Sequence, residues 1–169
     1  MKSIIVALLL AAVSFQLSAQ YDADYLKSLA SGNRVSFNYN VGVKGKAPVV
    51  MAGKVVIDGD CYSIRGNGLE VYCDGVTKWT VDKESKEVYM EAAESARDFI
   101  VNPEAWIGNV KNLKVDKTSA SGIYHDDYQN VDLTFRFSSI KSSPLSGSPD
   151  GFAFDTSSLG SDWVVTDLR

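Results

Sequence analysis

His125 stands in the run Tyr124-His125-Asp126-Asp127-Tyr128. A histidine beside two carboxylates could ligate a metal or form half of a proton-transfer dyad. It is the single histidine of the chain, and its neighbours are polar, so the run reads as a surface turn. Asp58, Asp60 and Asp74 each adjoin a glycine and read as turn acids, because a calcium loop needs more oxygen ligands in register. Gly66-Asn67-Gly68 is followed by no helical pattern and is a turn, not a phosphate-binding loop. The serines between Ser138 and Ser148 lack the elbow that presents a nucleophile. The chain therefore reads as a non-enzymatic protein without metal or cofactor. Cys61 and Cys73 flank the Gly66-Asn67-Gly68 turn. A three-residue loop would set them directly opposite and allow a disulfide, whereas a turn of Asn67-Gly68 alone would put them on opposite faces. Two half-buried free thiols are the alternative to the bridge.

What remains is the chemistry of apolar surface. Val35, Phe37 and Tyr39 alternate with polar residues, as do Leu133, Phe135 and Phe137, which is the pattern of strands with one apolar face. Val55, Ile57, Trp79 and Val81 fall in further strand candidates. These ten side chains are the candidate lining of an apolar cavity, with Phe99, Ile100 and Trp106 as candidate lid residues. The alternative is that the same side chains simply fill a core.

The elements that must position them are mostly strands. A short helix capped by Asp22 or Asp24 carries Tyr25, Leu26 and Leu29, and Gly32-Asn33 stops it. A meander follows, with strands over residues 49–58, 61–65, 69–73, 78–82 and 87–91, separated by turn signals. Residues 91–100 have helical spacing, and Pro103 can start another helical turn. Strands then resume. Residues 138–150 hold six serines and two prolines and read as a surface loop. Residues 152–155 and 163–167 are the closing strands. The expectation is a mainly β protein: a single antiparallel sheet of about nine to eleven strands, curved into an open, incomplete barrel, with a lid of short helices.

With 169 residues, 45% hydrophobic and 22% charged, the chain suits one globular domain. Its net charge of -4, without a basic block, argues against a nucleic-acid partner. Met1-Lys2, the apolar run of residues 4–13 and Leu17-Ser18-Ala19 together form the layout of a secretory signal peptide over residues 1–19. Ten apolar residues are too few to span a bilayer core about 30 Å thick. The expected mature domain is residues 20–169, exported, monomeric and not lipidated, since no cysteine follows the cleavage-like tripeptide.

Two segments resemble the LolA family of periplasmic lipoprotein carriers. The first is Val71-Tyr72-Cys73-Asp74-Gly75-Val76-Thr77-Lys78-Trp79-Thr80-Val81-Asp82 followed by Lys86-Glu87-Val88. The second is Phe152-Ala153-Phe154-Asp155, Gly160 and Val165-Thr166-Asp167-Leu168-Arg169. The resemblance implies an open barrel whose apolar face holds the acyl chains of a lipoprotein, or a related lipid, on its way to the outer membrane. It also implies an inner-membrane releasing complex and an outer-membrane acceptor as partners. The family's Arg-x-Pro element is missing between Gly53 and Gly66, where Arg65 stands alone, so no lid-locking arginine is assigned. A lipid- or protein-binding sensor of the cell envelope on the same scaffold is the second reading.

Overall fold

The structure, a computed structural model, describes residues 24–26, 28, 32–45, 51–93 and 107–169. Ten strands form one sheet: β1 (Asn33–Val43), β2 (Met51–Asp58), β3 (Cys61–Gly66), β4 (Leu69–Cys73), β5 (Thr77–Asp82), β6 (Glu87–Ala92), β7 (Val110–Asp116), β8 (Ser119–Asp126), β9 (Val131–Pro144) and β10 (Val164–Asp167). Their order is β10-β6-β5-β4-β3-β2-β1-β9-β8-β7, so the sheet is open, with β10 and β7 at its edges. Within β2–β6 and within β7–β9, short turns hold neighbours in sequence side by side. The β1–β9 pairing is the long-range closure, joining the two halves of the chain.

The sheet is mixed, not purely antiparallel. β10 runs parallel to β6, with Val165 opposite Val88. A parallel neighbour needs a long crossover, and here the C-terminal segment provides it. Residues 152–155 form no strand. They belong to this crossover, which continues through a single 3-10 turn, Thr156–Ser158, capped by the Asp155 carboxylate. The serine-rich stretch is also partly strand, because β9 runs on to Pro144. It does so through a bulge: Ser36 pairs with Lys141 and Asn38 with Ser138, leaving two residues opposite Phe37. Ser139 takes φ +55° there, which turns Ile140 back onto the buried side.

Of helix, the described residues contain residues 24–26 and 28 and the 3-10 turns Ile107–Asn109 and Thr156–Ser158. A lid of short helices is thus only weakly represented. The helical residues expected at 91–100 begin as strand, since β6 extends to Ala92, and residues 94–100 lie outside the described residues.

The β3–β4 turn settles the cysteines. Asn67 and Gly68 both have positive φ, +33° and +84°, in the two-residue hairpin that Asn-Gly favours. Tyr62, not Cys61, therefore pairs with Cys73. The disulfide considered from sequence does not form, and both thiols are free. Burial pushes both thiols above their ordinary range, the direction of inert structural cysteines.

Candidate functional site

Strand alternation and the pairing registers place Val35, Phe37, Tyr39, Val55, Ile57, Leu133, Phe135 and Phe137 on one face of the sheet. Seven of them are buried, and Leu133 is half-buried. At the centre lies an aromatic row. The Phe37 and Phe137 rings are 4.6 Å apart and tilted by 40°, and Phe135 and Phe137 are 5.0 Å apart, within the range where tilted rings attract. Gly122 on β8 faces Phe135. A Cβ at Gly122 would come within 3.0 Å of the Phe135 ring, so the missing side chain is what lets that ring lie over β8.

The same face carries residues that strand patterning left unassigned. Tyr62, Cys73, Ala120 and Ile140 are buried in the cluster, and Ile64, Val71, Val110, Leu113, Val115 and Tyr124 pack against it. The apolar face thus extends unbroken over seven strands, from β7 through β8, β9, β1, β2 and β3 to β4. Among the described residues, Leu26, Ala93 and Ile107 reach it from outside those strands. Phe99, Ile100 and Trp106, the candidate lid residues, lie outside the described residues.

Trp79 and Val81 do not belong to this face. Tyr72 pairs with Trp79 and Cys73 with Lys78, so on β5 the apolar set points to the reverse side. There Tyr72, Trp79, Val81 and Val88 form a second buried cluster with Met90, Phe154, Leu159 and Trp163. The sequence-based grouping of these two residues with Phe37 and Phe135 is therefore corrected by the register. The switch is made at the β4–β5 turn, where the Asp74 carboxylate accepts from the backbone N–H groups of Val76 (2.9 Å) and Thr77 (2.7 Å). That three-residue loop, Asp74 to Val76, sets the phase of β5.

The crossover to β10 covers this reverse cluster as a strap. The Phe154 ring lies 5.5 Å from that of Tyr72. Phe152 is almost fully buried beneath the Arg34 guanidinium, 5.5 Å from the ring centre. The buried Asp58 carboxylate anchors the start of the strap. It accepts from the Ser146 backbone N–H (3.1 Å), from the Ser146 hydroxyl, and from Arg34 (2.8 Å). Burial pushes Asp58 up, but the Ser146 hydrogen bonds and then Arg34 outweigh it and hold the carboxyl below its usual range. Two strap acids are lowered by like contacts, Asp155 by Ser157 and Asp162 by Lys86, and at the end of β10 Asp167 is held at about 2 by Arg169.

These shifts make the strap acid-labile. A carboxyl lowered in the folded state contributes stability above its unfolded pKa of about 4, and that contribution is lost as pH falls through the folded value. Between pH 4 and pH 2, tryptophan emission should therefore shift to the red as Trp163 leaves its cluster, before far-UV circular dichroism is lost. Asp58→Asn should flatten part of this dependence. Coincident loss of both signals would show that the strap does not release separately.

His125 is not in a turn but near the end of β8, paired across to Asp132. Its Nδ1 lies 2.9 Å from an Asp132 oxygen and its Nε2 3.6 Å from Asp127, while Lys44 reaches Asp132 at 3.1 Å. Asp126 instead caps the following turn, accepting from the N–H groups of Tyr128 and Gln129. Among the described residues no group of three His, Cys, Asp or Glu side chains is placed to hold a metal. No helix of the described residues is long and apolar enough to cross a membrane. A scan against models of protein families finds no match, and a search of curated proteins finds none either.

Proposed function

We propose that the chain is a carrier for acyl chains, of lipoproteins or of a related lipid, and that the face built around Phe37, Phe135 and Phe137 receives them. The observation that carries this reading is the extent of that face: seven neighbouring strands turn apolar side chains to the same side of a sheet that stays open at both edges. The resemblance of the Trp79 hairpin and of the C-terminal segment to periplasmic lipoprotein carriers supports it. So does the layout of residues 1–19 as an export signal, which would place the carrier in the periplasm.

The energetics suit a shuttle. Each buried methylene contributes roughly 0.8 kcal/mol, so a chain of about fourteen carbons brings on the order of ten kcal/mol before ordering costs. Handing the cargo on requires that this not be exceeded by a closely fitted slot.

The test is displacement of a fluorescent fatty-acid probe from the purified mature protein, with lipid extraction and mass spectrometry of what co-purifies. Wild type should bind the probe, and Phe135→Glu should abolish binding, because an unpaired carboxylate on the apolar face costs several kcal/mol. Leu133→Glu, at a half-buried position of the same face, should fold and still weaken binding. A folded wild type that takes up neither probe nor lipid would overturn the reading.

A further inference from the structure

On the reverse face, under the strap, lies a pocket of about 220 Å³ lined by Arg34, Lys54, Val56, Ser63, Arg65, Asp150, Gly151 and Phe152. Three cations converge here in a chain whose net charge is -4, so general basicity does not explain them. Lys54 and Arg65 are direct cross-strand partners on β2 and β3, and like charges so placed repel. Neither makes an ion pair among the described residues. Glu70, opposite Arg65 on β4, is engaged first by Lys83 and by the Tyr72 hydroxyl, both at 2.8 Å, with Arg65 a further, weaker pull on its charge, and the Arg65 guanidinium lies over the Tyr72 ring, 5.1 Å from its centre. Arg34 is met by Asp58. Counting Arg34, Lys54 and Arg65 against Asp58 and Asp150, the site keeps one positive charge in excess.

Ser63 adds an independent sign. It is 95% buried, given its 5% exposure, it lines the pocket, and its hydroxyl has no hydrogen-bond partner among the described residues. Its hydroxyl, at the pocket wall, is a donor that a bound oxyanion oxygen can accept from. The roof is shaped by Gly151, whose φ of +84° lets the chain turn Phe152 inward, where its N–H donates to the Pro149 carbonyl at 3.1 Å.

We propose that this pocket binds a phosphate group, with Lys54 and Arg65 neutralising its charge and the Ser63 hydroxyl donating to one of its oxygens. The guanidinium fork suits a tetrahedral oxyanion, and the ammonium supplies the second charge of a monoester dianion. The pocket, at about 220 Å³, has room for a phosphate and a short stem. The site lies across the sheet from the proposed acyl face and does not depend on that reading.

The experiment measures binding of glycerol 3-phosphate by calorimetry and of phosphatidic-acid vesicles by flotation, using wild type, Lys54→Gln and Ser63→Ala. Lys54 is exposed, so Lys54→Gln should fold, and without ligand it should be at least as stable as wild type because the repulsion with Arg65 is gone. Lys54→Gln should lose about tenfold in affinity or more, and Ser63→Ala a smaller factor. Binding of glycerol 3-phosphate that weakens in Lys54→Gln supports a soluble phosphate. The same loss confined to vesicles supports a lipid headgroup as the source of the phosphate. Absence of binding in both arms, or binding equal in wild type and Lys54→Gln, overturns the proposal.

Discussion

Alanine at Trp79 is expected to cost about 3–5 kcal/mol of stability while leaving the affinity for a fatty-acid probe within about twofold, as for distant independent sites. Trp79 packs in the reverse cluster with Val81 and Val88, both fully buried, and none of the three shares a face with Phe37, Phe135 or Phe137. Its removal opens a cavity beneath the strap, on the side away from the proposed acyl face. Given that whole domains hold only about 5–15 kcal/mol, chemical denaturation should show the loss plainly. Trp79→Phe separates volume from polarity. The Trp79 Nε1 is buried without a hydrogen-bond partner among the described residues, so no hydrogen bond is lost, and the cost should stay below about 1.5 kcal/mol. Probe binding measured below the unfolding temperature decides the assignment of faces. If Trp79→Ala stays folded and loses the probe while Phe135→Glu keeps it, the cargo face is the reverse one.

The contrast between those two residues shows what could be read from the chain and what could not. Alternation in 35–41 and 131–137 identified both strands and their apolar sets, and pairing of β1 with β9 put those sets together. Alternation within a strand does not say which side of the sheet its apolar set faces. That phase is fixed by the loops: the two-residue turn at Asn67-Gly68 and the three-residue loop after Cys73. One residue more or less in either would move Trp79 to the other face. The turn chemistry of Asp74 was visible in sequence, but its loop length was not. The closing strand at 163–167 was read, but its parallel pairing with β6 was missed for a different reason. Its pairing depends on a crossover held by Phe152, Phe154 and Trp163, contacts remote in sequence that no local pattern announces. The basic pocket escaped likewise, since Arg34, Lys54 and Arg65 become neighbours only through the β1–β2–β3 registers.

The second large effect concerns backbone rather than side chains. Gly53 and Gly66 are direct partners on β2 and β3, and Tyr39 stands opposite Gly53 on β1. A Cβ on Gly53 would lie 2.0 Å from the Arg65 carbonyl oxygen, and one on Gly66 would lie 2.2 Å from the Ala52 carbonyl oxygen and 2.7 Å from the Tyr39 hydroxyl. Carbonyls in a ladder cannot step aside as a flexible side chain can, so relief requires parting β2 from β3. Gly53→Ala should therefore cost at least about 3 kcal/mol, the upper end of ordinary overpacking, even though alanine lowers the entropy of the unfolded chain by up to about 1 kcal/mol. Gly122→Ala is the graded comparison. Its Cβ would meet the Val110 Cγ1 at 2.6 Å and the Phe135 ring at 3.0 Å, and both are side chains that can shift, so about 1–3 kcal/mol is expected. Gly108→Ala, with nothing within 4 Å of the added carbon, should be close to neutral. Because Gly122→Ala pushes on Phe135, it should also weaken the fatty-acid probe, which Gly108→Ala should not. The ordering Gly53, Gly122, Gly108 in urea midpoints follows from which atoms each new methyl meets. An equal response at all three would mean that β2 and β3 do not approach as closely as these contacts require.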